Sequence, residues 1–226
     1  MIHLQNITKA YSKNMVALKN VTIKIESGEF VSLVGMSGAG KTTLVKILIA
    51  SEKADDGRVV VGGWDITDIR NKDVPYLRRQ IGVVFQDYKL LDKKTIFENI
   101  AFALQVCGSS PARIQKLVPE VLDIVKLGDK KNRYPGQLSG GEKQRVAIAR
   151  SLVHGPKILI ADEPTGNLDY INSQEIIDLF LKINKIGITV LLVSHDTNLV
   201  DSIKKRVVVM EGGEILHDKE KAKYML

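Results

Sequence analysis

The apolar run Phe30-Val31-Ser32-Leu33-Val34 leads straight into Gly35-Met36-Ser37-Gly38-Ala39-Gly40-Lys41-Thr42-Thr43, and this junction restricts the chain to few architectures. The run reads as a buried strand, and a helix from about Lys41 to Ile49 follows the loop. The loop fits the pattern G-x-x-x-x-G-K-[ST] in the strand–loop–helix context that this pattern requires. Its glycines let the backbone curl around a phosphate, with Ser37, Ala39 and Thr43 in the same wrapping stretch. Lys41 brings a mobile positive charge near the β and γ phosphates, and the Thr42 hydroxyl is placed to coordinate Mg²⁺. The expected ligand is therefore a nucleotide with its metal.

The rest of the chain supplies the sheet that such a loop needs. β patterns run from Ile2 to Thr8 and from Val16 to Ile25 ahead of the loop, and Val59-Val60-Val61 and Ile81 to Phe85 read as further strands. From about Thr95 to Val153 the spacing is mostly helical, broken at Gly108, Pro111 and Pro135. The strand Ile158 to Ala161, the helix Ser173 to Ile186, and the strands Ile188 to Val193 and Val207 to Met210 then restore strand–helix alternation. That order predicts an α/β fold with a mostly parallel sheet, an antiparallel β flap and an inserted helical subdomain. The expected division is a core with its flap over 1–86 and 155–226, and the helical subdomain over 87–154.

Several residues fall where such a sheet gathers its chemistry. Asp162 ends a four-residue apolar run and should emerge at the carboxyl end of a central strand, the edge at which open α/β sheets bind ligands. There it would hold Mg²⁺ directly or through water. Glu163 comes next, placed to polarise the water that attacks a γ-phosphate. His195 follows the buried run Val190 to Ser194 and arrives at the same edge. Tyr11 lies ahead of the loop in the flap, where an aromatic face would stack on adenine. Leu138-Ser139-Gly140-Gly141-Glu142 opens a helix with a turn that aims free N–H groups and a positive dipole end at an anion. Two phosphate-facing turns about a hundred residues apart exceed what one compact site would need.

In their order along essentially the whole chain, these motifs resemble those of the ABC-type ATPases. The resemblance implies a P-loop NTPase (RecA-like) core that binds ATP with Mg²⁺ and hydrolyses it to ADP and phosphate. It implies a head-to-tail homodimer, in which Ser139, Gly140 and Gly141 of one subunit close over the nucleotide held by the other's P-loop. Gln86 resembles the family's Q-loop glutamine, which touches the metal or the attacking water, and Ser194-His195-Asp196 its switch histidine, which contacts the γ-phosphate. Asn167-Leu168-Asp169 resembles the D-loop that links the two sites, although Asp169 alone could equally be a helix cap. Lys143 departs from the glutamine usual after the signature; Thr42, in place of the commoner serine, keeps the hydroxyl.

A narrower likeness lies in Val74-Pro75-Tyr76-Leu77-Arg78-Arg79-Gln80-Ile81-Gly82-Val83-Val84-Phe85-Gln86-Asp87, in Leu90-Leu91, and in Ala161-Asp162-Glu163-Pro164-Thr165-Gly166-Asn167-Leu168-Asp169. These strings are similar to a bacterial cell-division branch of the family, and the last is shared with lipoprotein-release and macrolide-export ATPases. The branch implies an integral membrane partner and control of peptidoglycan hydrolysis. The rival readings are a transporter ATPase for a lipoprotein or drug, and a scaffold whose nucleotide occupancy matters more than its turnover.

Composition is consistent with a globular ATPase at a membrane surface. The chain carries 33 Lys and Arg against 26 Asp and Glu, with basic clusters at Lys204-Lys205-Arg206 and at Lys219, Lys221 and Lys223, so the inner-membrane surface is an expected partner. A nucleic-acid ATPase is not expected, because the long coiled coils or tandem cassettes of those proteins are absent. No stretch approaches the roughly 18 apolar residues that span a bilayer, and residues 1–6 lack a signal-peptide pattern, so a cytosolic, peripheral location is expected. Cys107 among Ala103, Leu104 and Val106 reads as a small buried hydrophobe without a catalytic role. A partner-binding cleft between the subdomains is expected beside Gln86, walled by apolar side chains from Tyr88 to Phe102.

Overall fold

The computed structural model describes residues 1–12 and 14–219. Strands β1 (Ile2–Ser12) and β2 (Met15–Ile25) form an antiparallel pair ahead of β3 (Phe30–Val34), which enters the glycine loop and α1 (Lys41–Leu48). Then come β4 (Asp56–Val61), the two-residue β5 (Trp64–Asp65), α2 (Val74–Arg78) and β6 (Ile81–Phe85). The helical block holds α3 (Ile96–Val106), α4 (Pro111–Ile124), single 3₁₀ turns at Gly128–Lys130 and Pro135–Gln137, and α5 (Gly140–Leu152). β7 (Ile158–Asp162), α6 (Tyr170–Lys185), β8 (Thr189–Ser194), α7 (Thr197–Ile203), β9 (Arg206–Glu211) and β10 (Glu214–Lys219) complete the described chain.

The strands form two sheets. The four-stranded flap has the order β2-β1-β4-β5 and is antiparallel, and the six-stranded sheet has the order β10-β9-β3-β8-β7-β6. Its neighbours from β9 to β6 are parallel, and only β10 runs antiparallel. Successive side chains on a strand point to opposite faces, so each apolar run feeds two cores at once. Phe30, Val84, Leu159, Ala161, Val190 and Leu192 pack with residues of α3 to α7. Val31, Leu33, Ile158, Ile160, Leu191 and Val193 pack instead with the flap and with Leu44 and Leu48 of α1. Residues that read simply as apolar in sequence thus hold a helical layer on one face and a β flap on the other.

Parallel pairing also aligns the strand ends. Val34 lies opposite Ser194, and Asp162 lies between Phe85 and Val193. The chain therefore leaves the sheet at Gly35, Gln86, Glu163 and His195 along one edge.

The structure moves the expected cleft. A cleft of about 470 Å³ does separate α2 and β6 from α3 and α5, but it opens near the amino end of β6. Its lining includes Pro75, Arg78, Val83, Phe102, Val106 and His154, while Gln86 lies on a different cavity at the opposite end of that strand. Of the stretch from Tyr88 to Phe102, only Phe102 reaches the cleft. The segment after Gln86 is mostly exposed instead, and its backbone is tied down from below. Fully buried Asn99 donates to the carbonyls of Leu91, Lys94 and Thr95 and accepts from the Leu91 amide, while Arg150 donates to the carbonyls of Tyr88 and Lys89. Cys107 is half-buried on the cleft wall rather than fully enclosed. Arg206 does not join an exposed basic cluster either, since Glu29 and Asp218 bind its guanidinium. Lys221 and Lys223 lie outside the described residues.

Asn99 is therefore the buried anchor that ties the loop backbone from Leu91 to Thr95 to the first turn of α3. Replacing it with Ala should cost about 2–3 kcal/mol, lowering the thermal midpoint by roughly 5–10 °C. A midpoint within about 1 °C of the parent would show that the loop finds other partners.

Candidate functional site

The glycine loop curls at the open edge of the sheet and hands over to α1 with no side-chain cap. The first-turn N–H groups of that helix are thus left to an external acceptor, with the positive end of its dipole behind them. Gly40 takes φ 100°, and a Cβ there would stand 2.4 Å from the Ala17 carbonyl oxygen, so only glycine fits between the loop and the flap.

In front of the loop lies a cavity of about 480 Å³. Ser37, Gly38, Ala39, Gly40, Lys41, Thr42 and Thr43 form its floor, and Tyr11, Gln86, Glu163 and His195 stand around it. Met15, Val16 and Ala17 of the flap complete the wall. These three were not singled out in the sequence, where they read only as the start of a strand. The Tyr11 hydroxyl is 3.4 Å from that of Thr43, and the amino groups of Lys9 and Lys46 each lie 6.0 Å from the ring centroid.

Charge is concentrated at the carboxyl ends of β3, β7 and β8. The buried Lys41 amino group donates to the carbonyls of Gly35 at 2.6 Å and Met36 at 3.1 Å, and stands 3.8 Å from the Glu163 carboxylate. The other oxygen of Glu163 is 2.8 Å from His195 Nδ1 and accepts from the His195 amide at 3.3 Å. Glu163 has φ 50°, a left-handed backbone that a non-glycine residue adopts at a cost, and its amide donates to the Val193 carbonyl. The backbone thus turns this side chain back over the sheet edge.

Asp162 sits behind Glu163, outside the cavity lining. Burial pushes its carboxyl above the usual range, as does the neighbouring Glu163 charge, while Lys41 opposes the shift. Its Oδ1 is buried with no hydrogen-bond partner. A buried carboxylate oxygen left over in this way fits a cation ligand, and the exposed Thr42 hydroxyl and Gln86 amide offer further oxygen donors at the same edge. Among the described residues no group of three or more His, Cys, Asp or Glu side chains could hold a metal. A Mg²⁺ ion here would complete its shell with water and phosphate oxygens, as this ion ordinarily does.

Ser139, Gly140, Gly141 and Asp169 are on none of the walls of this cavity. Ser139 is the N-cap of α5 and is exposed; its hydroxyl accepts from the Glu142 amide, and its own amide donates to the Glu142 carboxylate. Asp169 is the N-cap of α6, accepting from the Asn172 amide at 2.8 Å. The two turns touch. A Cβ on Gly141 would stand 2.4 Å from Asn172 Oδ1, and the Asn167 amide group reaches back to the Gln86 carbonyl at 3.4 Å. The segment 166–172 therefore bridges the chain's own cavity and the helix start at Ser139, which does not line it.

Lys130 and Asn172, which hold these turns in place, and Arg150, which holds the backbone after Gln86, were not singled out in the sequence. Each acts through backbone or cap contacts that no local pattern announces. Lys130 bonds to Glu142, and with the Ser139 amide it holds the Glu142 carboxyl down to about 2. A carboxyl lowered on folding stabilises above its unfolded value near 4.5 and loses that contribution as pH falls toward 2. The thermal midpoint of Glu142→Gln should thus trail the parent by a constant margin from neutral pH down to about 5, and the margin should close on further acidification. A margin that widens in acid would contradict the assignment.

Comparison with known proteins agrees with this geometry. The model of the ABC transporter family matches residues 18–166. The chain is 47% identical over 224 residues to the cell division ATP-binding protein FtsE of Streptococcus pneumoniae, covering 99% of this chain and 97% of that protein. FtsE of Bacillus subtilis is also 47% identical, with 99% and 98% covered, and FtsE of Escherichia coli is 44% identical, with 95% and 97% covered. Among solved structures, the dimeric post-hydrolysis state of the ATP-binding cassette MJ0796 bound to ADP and phosphate superposes with a TM-score of 0.88 at 34% identity, covering 99% of this chain and all of that one. With its glycine loop and its in-register sheet edge, this chain belongs to the ABC transporter family of ATP-binding proteins, in the branch of the FtsE cell division proteins.

Proposed function

We propose that the chain is the ATP-hydrolysing subunit of a bacterial cell-division complex, working as a head-to-tail dimer on a membrane protein of the FtsX type at the cytosolic face of the membrane. The observation that carries this reading is the separation of the two anion-facing helix starts. One lies on the cavity with Lys41, Glu163 and His195; the other, at Ser139, is exposed and lies off that cavity. A second copy can therefore bring its Ser139 turn to the mouth of the first copy's cavity, and the dimeric state of the MJ0796 cassette supports this arrangement.

The residues divide the work by position. The amides of the glycine loop and the Lys41 ammonium hold the β and γ phosphates, and Tyr11 stacks on the adenine. Thr42, Gln86 and Asp162 would hold Mg²⁺, which when bound neutralises developing charge on the phosphates. Glu163, oriented by His195, accepts a hydrogen bond from the attacking water and polarises it. His195 contacts the γ-phosphate, and Asp169 with its loop carries the state of one site toward the other. Motion of the helical block is the useful output, delivered to control of peptidoglycan hydrolysis outside the cell. Among the described residues no helix is long and apolar enough to cross a membrane, and in this reading the FtsX-type protein supplies the crossing.

The cleft walled by Phe102 and Val106 is the socket assigned to that partner. Both side chains are largely exposed, and the charged residues that share the lining are arginines, with no carboxylate. The chain's basic excess suits a neighbouring anionic lipid surface.

Two measurements test the proposal. Glu163→Gln should retain ATP and lose roughly 10²-fold or more in turnover, whereas Lys41→Ala should lose binding as well; near-normal hydrolysis by Glu163→Gln removes the assignment. Phe102→Asp and Val106→Asp should abolish co-purification with the FtsX-type protein from solubilised membranes and leave ATP binding intact. Retention of the partner by both variants would place the coupling surface elsewhere.

A further inference from the structure

The carboxylate of Glu142 is shared between two partners in a way that an ordinary helix cap does not need. One oxygen accepts from the Ser139 amide at 2.8 Å, closing the reciprocal cap with the Ser139 hydroxyl, and the other is bound by the Lys130 ammonium. The cap is complete without the lysine. A cation beside a helix N-terminus is disfavoured by the helix dipole, so it is the Glu142 carboxylate that holds Lys130 there. The pair is sheltered, with side chains 26% and 15% exposed, and little screened by solvent.

The position of Lys130 is itself fixed. Its amide donates to the Leu127 carbonyl and its carbonyl accepts from the Arg133 amide. The following carbonyls of Lys131 and Arg133 accept from the amides of Phe97 and Ile96, in the first turn of α3. The lysine thus projects from a backbone segment fastened to the helix that carries Phe102 and Val106 on the cleft.

We propose that Lys130 is a positioning residue for the composite ATP site: it neutralises and immobilises Glu142, so that the Ser139 turn presents its N–H groups, rather than a free carboxylate, to the γ-phosphate on the facing subunit. The inference rests on the head-to-tail dimer proposed above. An unpaired Glu142 would place negative charge in the turn that must meet a phosphate, and Coulomb repulsion between anions across a closing, poorly hydrated interface is costly. With Lys130 in place, the turn keeps the hydrogen bonds of an acidic cap without its net charge.

The test uses the full chain in the Glu163→Gln background, with ATP-driven dimerisation followed by sedimentation and monomer binding followed with a fluorescent ATP analogue. Lys130→Met should weaken dimerisation at least about tenfold while ATP binding by the monomer is retained. Lys130→Arg should restore it. The double variant Lys130→Met/Glu142→Gln, which removes the unpaired charge, should recover most of the loss even though it has fewer bonds. A purely structural role predicts the opposite ranking, with the double variant at least as impaired as the single one; that ranking overturns the proposal, as does unaltered dimerisation of Lys130→Met. A Glu163→Gln parent that stays monomeric with ATP overturns the dimer reading and this inference with it, whereas a parent that dimerises beside an unaffected Lys130→Met overturns this inference alone.

Discussion

In-register pairing of parallel strands buried on both faces is the constraint on which the rest of the molecule depends. β3, β6, β7 and β8 pair without a register shift, and their final residues stand side by side. A slip of one residue in any of them would turn its apolar side chains to the wrong layer, so the two cores enforce the register. The same register delivers Gly35, Gln86, Glu163 and His195 to one edge. Packing far from the nucleotide cavity thereby fixes the separations within it, such as the 2.8 Å between Glu163 and His195.

That dependence explains which parts were legible in the sequence. The strands that build the edge are short runs of apolar residues buried on both sides, and such continuous runs stand out from the alternating and helical patterns around them. Asp162, Glu163 and His195 could be placed at the edge simply because each follows such a run. The two-residue β5, the five-residue α2, α7 and the outer strand β10 were not legible. They are short, and β10 is exposed along almost its whole length, so no apolar period marks it. The cleft was misplaced for a related reason. Its walls come from α2, α3 and α5, and the segment next to Gln86 is held in place by Asn99 and Arg150 through backbone carbonyls, a kind of contact with no sequence signature.

Of the two readings of Asp169, the helix cap is the one the structure shows, and the link between two sites stays part of the proposal. Asp169 is a helix cap by its bonds to Asn172, and it lies in a segment that leans on both Gln86 and the Ser139 turn. In that proposal the cap also serves the link, because the geometry that satisfies the helix N-terminus holds the segment in place. Arg150 plays a similar double part at the other end of α5, where it lines the cleft and grips the carbonyls of Tyr88 and Lys89. Its guanidinium is buried and shifted downward for that reason, bound by carbonyl dipoles. The helix that begins at the Ser139 turn thus ends against both the cleft and the loop after Gln86, the connection that the proposed coupling requires.

The central claim is that each chain contributes half of each of two sites. It is tested most directly by mixing two variants, Lys41→Ala and Ser139→Arg, each of which is impaired in both sites of its own dimer. In a mixed dimer of composite sites, one site pairs an intact glycine loop with an intact Ser139 turn, and the other carries both changes. The mixture should hydrolyse ATP, or associate on adding ATP, well above the sum of the separate proteins. A mixture no better than that sum would show that the Ser139 turn does not serve the facing subunit's nucleotide.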